Sequence, residues 1–373
     1  MHSTAQHSTA QHSTAQHSTA QHSTAQHSTA QHSTQRIEYL DALRGFTMLL
    51  VVMTHISGFS FHTGESFNHY MAQFRMPLFF FVSGFVFYKN NFSWNASNTI
   101  SFLKKKIPVQ LITPLIFLLC YIHIKDIPAE HAFATDHKVG YWFTFTLFEF
   151  FAIYILLQKI FDLLHIKEKW RFTVLAIVGI SLYNNFPINC LFHMGFTARE
   201  LNLACLTKLQ YFIFFITGAF AKRHFSQFEQ LLDSKPFIPS VIAIYFLTNI
   251  FIDIKALNHH IQNNLSLLLG LCGIAIIFSL FRKNKAIFAG KSKMSETMKF
   301  IGKRTLDIYL IHYFFIPFDL YKAFPLFAEM QMPIIEITAT LVLATLIVIA
   351  CLAVSSVLRI NNTLAHYLFG AKK

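Results

Sequence analysis

Residues 39–59 read YLDALRGFTMLLVVMTHISGF, and no other stretch limits the possible folds of this chain as strongly. The segment is about as long as a helix must be to cross a bilayer, yet Asp41, Arg44 and His55 sit among its apolar residues. Charge placed in hydrocarbon is costly and is kept where it faces a protein interior or a wet cavity, so it marks a functional position. Arg44 and His55 are eleven residues apart, close to three helical turns, which puts both on one face about 16 Å apart along the axis. Asp41 lies one turn before Arg44 on the same face and is its expected ion-pair partner.

The rest of the chain agrees with a membrane setting. Of its residues 54% are hydrophobic and 13% charged, against roughly 25% charged in soluble domains. The expected fold is an all-α integral membrane protein with about ten transmembrane helices. They fall near 39–59, 74–88, 107–124, 141–164, 172–188, 206–221, 237–254, 264–281, 305–321 and 333–357. No cleavable signal peptide is expected, because no small-residue cleavage site follows the first apolar run. The net charge of +13 does not point to nucleic acid, since the basic residues stand in short blocks between apolar runs. With the N-terminus in the cytoplasm, 23 of the 31 Lys and Arg fall on the inner side and 6 on the outer, so an N-in, C-in topology is expected.

Residues 1–35 form a separate region, six copies of HSTAQ over 2–31 followed by HST and Gln35. A polar tract of small residues with no apolar face has nothing to bury, so a disordered tail is expected, with the membrane domain over 36–373. Back-translation adds a second reading. CAC-AGC-ACA-GCA-CAG encodes His-Ser-Thr-Ala-Gln and is also CACAG three times over, a five-base repeat whose gain or loss shifts the frame. The five cysteines form no CxxC pair, which argues against a metal cluster or disulfide framework; Cys190 and Cys205 share one outer loop without requiring a bridge.

Further candidate groups lie along the chain. Arg75 opens the second span in FRMPLFFFVSGF, where Pro77 suits a first turn and Ser83 and Gly84 permit close helix approach. The ninth span contributes Asp307 and His312, whose spacing of five residues does not put them on one face. The loop over 184–205 holds His193, Arg199 and Glu200 and is long enough to cover an outer cavity.

In LDALRGFTMLLVVMTH, RMPLFFFVSGF and GKRTLDIYLIHYF, with YWF at 141–143 and FFITGAFAKR at 214–223, the chain resembles the acyltransferase-3 family of membrane O-acyltransferases. The resemblance runs from about residue 36 to 358. It implies transfer of an acyl group, often acetyl from cytoplasmic acetyl-CoA, to a hydroxyl of a surface glycan such as lipopolysaccharide, capsule or exopolysaccharide, or of a lipid-linked sugar. It further implies a multi-pass protein of a bacterial inner membrane, in the stand-alone form without an esterase-like domain, and no metal. In this reading Arg44, with Asp41, serves the donor phosphates, aided by the basic loop over 282–304. His55 is the general base toward the acceptor hydroxyl, and Arg75 orients the acceptor or stabilises the thioester oxyanion. The alternative is a transporter or flippase for an anionic substrate, which the lack of a second Arg/His helix disfavours.

Overall fold

The computed structural model describes residues 37–61, 67–90, 92–323 and 333–370, and among these every regular element is helical. The repeat and its expected disorder lie outside the described residues. The first helix, α1 (Glu38–Ile56), runs without a break into a π-helical turn at Ser57–Phe61. It is followed by α2 (Phe67–Phe87). Next comes α3 (Ala96–Ile107), joined through a second π turn, Pro108–Ile112, to α4 (Thr113–Ile124). Pro108 and Pro114 bracket that turn and withdraw two backbone donors from the regular ladder, a direct cause for the wider winding.

The middle of the chain gives α5 (Trp142–Leu163), α6 (Glu168–Tyr183) and α7 (Phe186–His193). Then come α8 (Phe212–Arg223), α9 (Phe225–Asp233), α10 (Phe237–Phe251) and α11 (His259–Lys283). The last part holds α12 (Lys293–Lys303), α13 (Thr305–Ile311), α14 (Pro333–Leu358) and α15 (Asn362–Phe369). Among the described residues six helical segments are long and apolar enough to cross a membrane, or eight if the bent pairs α6 with α7 and α9 with α10 each count as one span. This is a multi-pass membrane protein.

Two of the ten expected spans take a shorter form. The segment near 206–221 is a 3-10 turn, Leu206–Tyr211, leading into the 12-residue α8. The segment near 305–321 is the 7-residue α13 with a 3-10 turn at His312–Phe314. Both are buried among other helices, with Phe212, Phe214, Phe215, Ile308 and Leu310 nearly inaccessible. A helix enclosed by protein need not match the hydrocarbon thickness.

Helix α8 is the centre of the bundle, and glycine explains how closely it lies against α2. A Cβ on Gly84 would run into the backbone carbonyl of Phe215, and one on Gly218 into that of Phe81. The two small residues thus face each other's partner backbone across one crossing, which lets van der Waals contact hold the pair where lipid supplies no hydrophobic drive. Around this crossing the phenylalanines interlock: Phe80 meets Phe143 and Phe150 at 4.9 Å between ring centroids, and Phe87 stacks on Phe151 at 4.7 Å. Gly84 therefore has the packing role expected of it, whereas Ser83 turns to a cavity.

At the other side of the bundle, Asp307 ties α13 to the end of α14. It accepts from Arg359 Nε and Nη2, both at 2.8 Å, from Arg304 Nη1 at 3.3 Å, and from Ser355 Oγ. All five cysteines are free thiols, Cys190 and Cys205 included.

Candidate active site

A cavity of about 1190 Å³ runs through the bundle interior. Arg44, Lys106, Lys303 and Phe369 line one end, His55, Arg75 and Tyr313 the middle, and Lys125, His131, His137 and Lys208 the other. Its volume exceeds the roughly 300–1,000 Å³ of a typical single-ligand cleft, so there is room for more than one reactant.

The expected α1 face exists: Arg44, Met48, Val51 and His55 all point into this space, at helical spacing. Arg44 Nη2 donates to Thr305 Oγ1 at 3.0 Å, which fixes the guanidinium against the start of α13. Asp41 stands behind the wall. It is buried and does not line the cavity, and its backbone carbonyl backs onto Gly302 of α12.

His55 is the last residue but one of α1, and the π turn behind it is fastened at three points. Ser57 Oγ donates to Glu336 Oε1 at 2.6 Å, Ser60 Oγ donates to the Pro317 carbonyl at 2.6 Å, and the Asp319 amide donates to the Phe59 carbonyl at 3.0 Å. The imidazole itself lies between two residues of the ninth segment. Its Nδ1 is 3.0 Å from His312 Nε2, and its Nε2 is 3.2 Å from the Tyr313 hydroxyl. Arg75 Nη1 donates to Thr54 Oγ1, beside His55, at 2.8 Å. A cation and an imidazole thus share one part of the wall, although they come from different helices.

Tyr313 is held in turn by the loop before α5. Lys138, Val139 and Gly140 all have positive φ, at 43°, 50° and 100°, and the aromatic ring of Tyr313 lies where a Cβ on Gly140 would be. Tyr309 donates to the Gly140 carbonyl at 3.2 Å, and Tyr141 donates to the Leu310 carbonyl at 2.8 Å. The YWF segment is therefore bound to the ninth segment by the loop's own backbone.

At the far end Lys208 Nζ donates to Asp136 Oδ2 at 2.7 Å and lies over the Trp142 ring. Burial opposes charge on Asp136, but the hydrogen bond and the charge of Lys208 outweigh it and hold the carboxyl below its ordinary range. His137 is lowered by burial and then by Lys208, with Asp136 opposing. The loop over 184–205 reaches this end through Asn202, whose carbonyl accepts from Lys138 Nζ at 2.7 Å and whose side-chain amide donates to the Ala134 carbonyl at 3.0 Å. Glu200 is used locally, closing a capping box with Thr197, and Arg199 pairs with Glu130 at 2.9 Å.

A second chamber of about 800 Å³ shares Arg44, Ser83, Lys106 and Gln110 with the first and adds Lys89, Trp94, Lys105, Arg171 and Arg223. Arg171 pairs with Asp162 and Arg223 with Glu168, each at 2.7 Å. Of the basic loop over 282–304, expected at the nucleotide, two arginines are committed elsewhere. Arg282 is buried against Glu229 and Asp233, and Arg304 binds Asp307 and Ser355; Lys303 does reach the cavity. Among the described residues no group of three His, Cys, Asp or Glu is placed to hold a metal ion.

Sequence reasoning missed Thr305, Tyr313, Lys106 and the second chamber. Tyr313 adjoins His312 within the IYLIHYF motif, which is the one signal that pointed to it.

An internal cavity with a half-buried imidazole and a guanidinium, enclosed by membrane-length helices, defines a membrane protein with a site inside its helical bundle. Residues 37–357 match the family model described as an acyltransferase domain, so the chain belongs to the acyltransferase-3 family and is a membrane acyltransferase. No curated protein and no solved structure matches it.

Proposed function

We propose that the enzyme transfers acetyl from acetyl-CoA in the cytoplasm to a hydroxyl of a cell-surface glycan, with Arg44 toward the donor and His55 and Arg75 at the reacting atoms. The observation that carries this reading is the shared cavity. Arg44 lines one end, His55 and Arg75 the middle, and the Arg44 end opens onto a basic chamber. Coenzyme A is anionic at its nucleotide end and carries its thioester at the tip of a long thin arm. Phosphates in the second chamber, near Lys89, Lys105 and Lys106, leave the arm to pass Arg44 and bring the thioester toward His55. Trp94 in the same chamber offers an aromatic face. The excess of inner-side Lys and Arg supports a cytoplasmic position for the Arg44 end, within an N-in arrangement in a bacterial inner membrane.

The chemistry follows from the side chains. His55 takes the proton of the acceptor hydroxyl as the oxygen attacks the thioester carbonyl, a contribution typically worth 10²–10⁴ in rate. The resulting oxyanion lies within the field of the Arg75 guanidinium. Collapse breaks the carbon–sulfur bond, the thiolate takes the proton from His55, and ester and free coenzyme A remain. Membranes containing the protein, incubated with radiolabelled acetyl-CoA, are expected to label glycan, and membranes with His55→Ala are not. Equal labelling by a well-expressed His55→Ala protein overturns the reading.

The repeat extends the proposal to expression. If the gene carries reiterated CACAG, loss or gain of one unit removes the frame, and the next in-frame methionine is Met48, past Arg44. Slippage then switches the enzyme off and on, as suits a modification of an exposed glycan. Colonies of one culture are expected to differ in repeat number; synonymous codons that break the five-base period would refute this.

A further inference from the structure

The imidazole of His55 has two nitrogens, and only one of them can receive the acceptor's proton. We infer that His312 is a positioning residue that fixes the tautomer of His55, so that Nε2 is the proton-accepting atom. This rests on the reading of His55 as the base.

The argument begins at the buried end of the network. His312 is fully buried, and its Nδ1 lies 2.9 Å from the Ile308 carbonyl and 2.9 Å from the Tyr309 carbonyl. Carbonyl oxygens only accept, so Nδ1 of His312 carries a hydrogen. In a neutral imidazole the other nitrogen then has a lone pair, and His312 Nε2 accepts. Its neighbour at 3.0 Å is His55 Nδ1, which must be the donor. His55 Nε2 is left with its lone pair, and the group at 3.2 Å from it, the Tyr313 hydroxyl, is one that can donate. Every hydrogen along the line from backbone to cavity is thereby assigned, beginning with two carbonyls whose role has no alternative.

Fixing the tautomer also fixes direction. The two imidazole planes are within 12° of each other, and His312 is anchored through helix backbone, so His55 is held against rotation about its own ring. The Tyr313 hydroxyl stands where the acceptor hydroxyl must come, and the acceptor takes its place at Nε2 as it binds. His312 itself need not touch either substrate. It acts through His55, as a buried acceptor that keeps the proton off the working nitrogen and steadies the imidazolium once formed.

Two substitutions separate this role from simple packing. His312→Leu fills the space with no acceptor. His312→Gln offers a carbonyl oxygen to His55 Nδ1 and an amide N–H to the Ile308 carbonyl, as the imidazole does. Membranes bearing each variant, and His55→Ala beside them, are assayed for acetyl transfer, with protein amount and monodispersity in detergent checked for each. His312→Leu is expected to lower kcat a hundredfold or more, with KM for acetyl-CoA within about twofold of wild type, and His312→Gln to stand within about tenfold of wild type. His312→Met provides the same comparison if the leucine variant does not accumulate. A folded His312→Leu enzyme with kcat within about threefold of wild type overturns the inference, as does an equal loss in both variants. Full activity in His55→Ala would instead overturn the functional reading on which it rests.

Discussion

Thr54 holds Arg75: the guanidinium Nη1 donates to the Thr54 hydroxyl at 2.8 Å, and that hydroxyl donates to the Leu50 carbonyl at 2.9 Å. A side chain with no charge of its own thus couples the second helix to the turn that ends at His55. Thr54→Val keeps the shape and removes the acceptor, so kcat is expected to fall about tenfold, a loss of one charge-assisted hydrogen bond. KM for the donor should be unchanged, and Thr54→Ser should retain most of the activity. Steady-state kinetics on the three proteins provide the check.

Gly140 is where backbone and packing make the same demand. Its φ is 100°, and a Cβ there would meet the Tyr313 ring. Gly140→Ala is expected to cost about 2–4 kcal/mol, from strain and overpacking together. Combining it with Tyr313→Ala removes the collision but not the strain, so the double variant should recover part of the stability and none of the activity. Thermal unfolding in detergent measures the first and acetyl transfer the second.

Asp307 is a structural anchor with two guanidinium partners. Asp307→Leu leaves Arg359 and Arg304 without their carboxylate, at an expected cost of about 3–5 kcal/mol. The variant should accumulate poorly. Whatever protein survives should still bind donor, because Arg44 and the second chamber do not touch Asp307. Radiolabelled acetyl-CoA retained by purified protein tests this separation.

The far end of the cavity should loosen in acid. Asp136 has a folded-state pKa below its unfolded value near 3.9, so its contribution is complete above that value and is lost as pH falls through the folded one. His137 is also lowered, from an unfolded value near 6.5, so a proton favours the unfolded loop as pH drops below about 6.5. Both effects have the same sign. Hydrogen exchange over residues 129–141 is expected to rise below about pH 6.5 and again below about pH 4, with Lys208→Met removing most of the second step.

The α1 face was readable because a charge in an apolar helix has few acceptable positions, and helical periodicity alone puts Arg44 with His55. His312 was not assignable in the same way. Its spacing from Asp307 separates the two, as expected, but only the folded chain brings it to His55 from the other end of the sequence. Asp41 shows the opposite limit: its spacing puts it one turn from Arg44, but only the folded chain shows that it is buried behind the cavity wall, against Gly302 of α12. Lys106 is one of three consecutive lysines, Lys104–Lys106, and charge counting cannot see which of them the turn at Pro108 brings to the cavity. The expected span count overshot for a related reason. Hydropathy registers α8 and α13 as apolar, and apolar segments surrounded by protein look the same in sequence as those surrounded by lipid.

The contacts that complete the site join the first helix to partners 257, 261 and 279 residues later, at His312, Thr305 and Glu336. At ribosomal speeds of about 5–20 residues per second, α1 waits roughly 10–50 s between its own synthesis and that of its partners. During that interval His55 lies in a nascent membrane segment whose distant partner, His312, has not yet been made. The wall around His55 can therefore close only once the ninth segment has emerged. Any premature stop before Tyr313 leaves a chain with the first half of a site and no means of closing it.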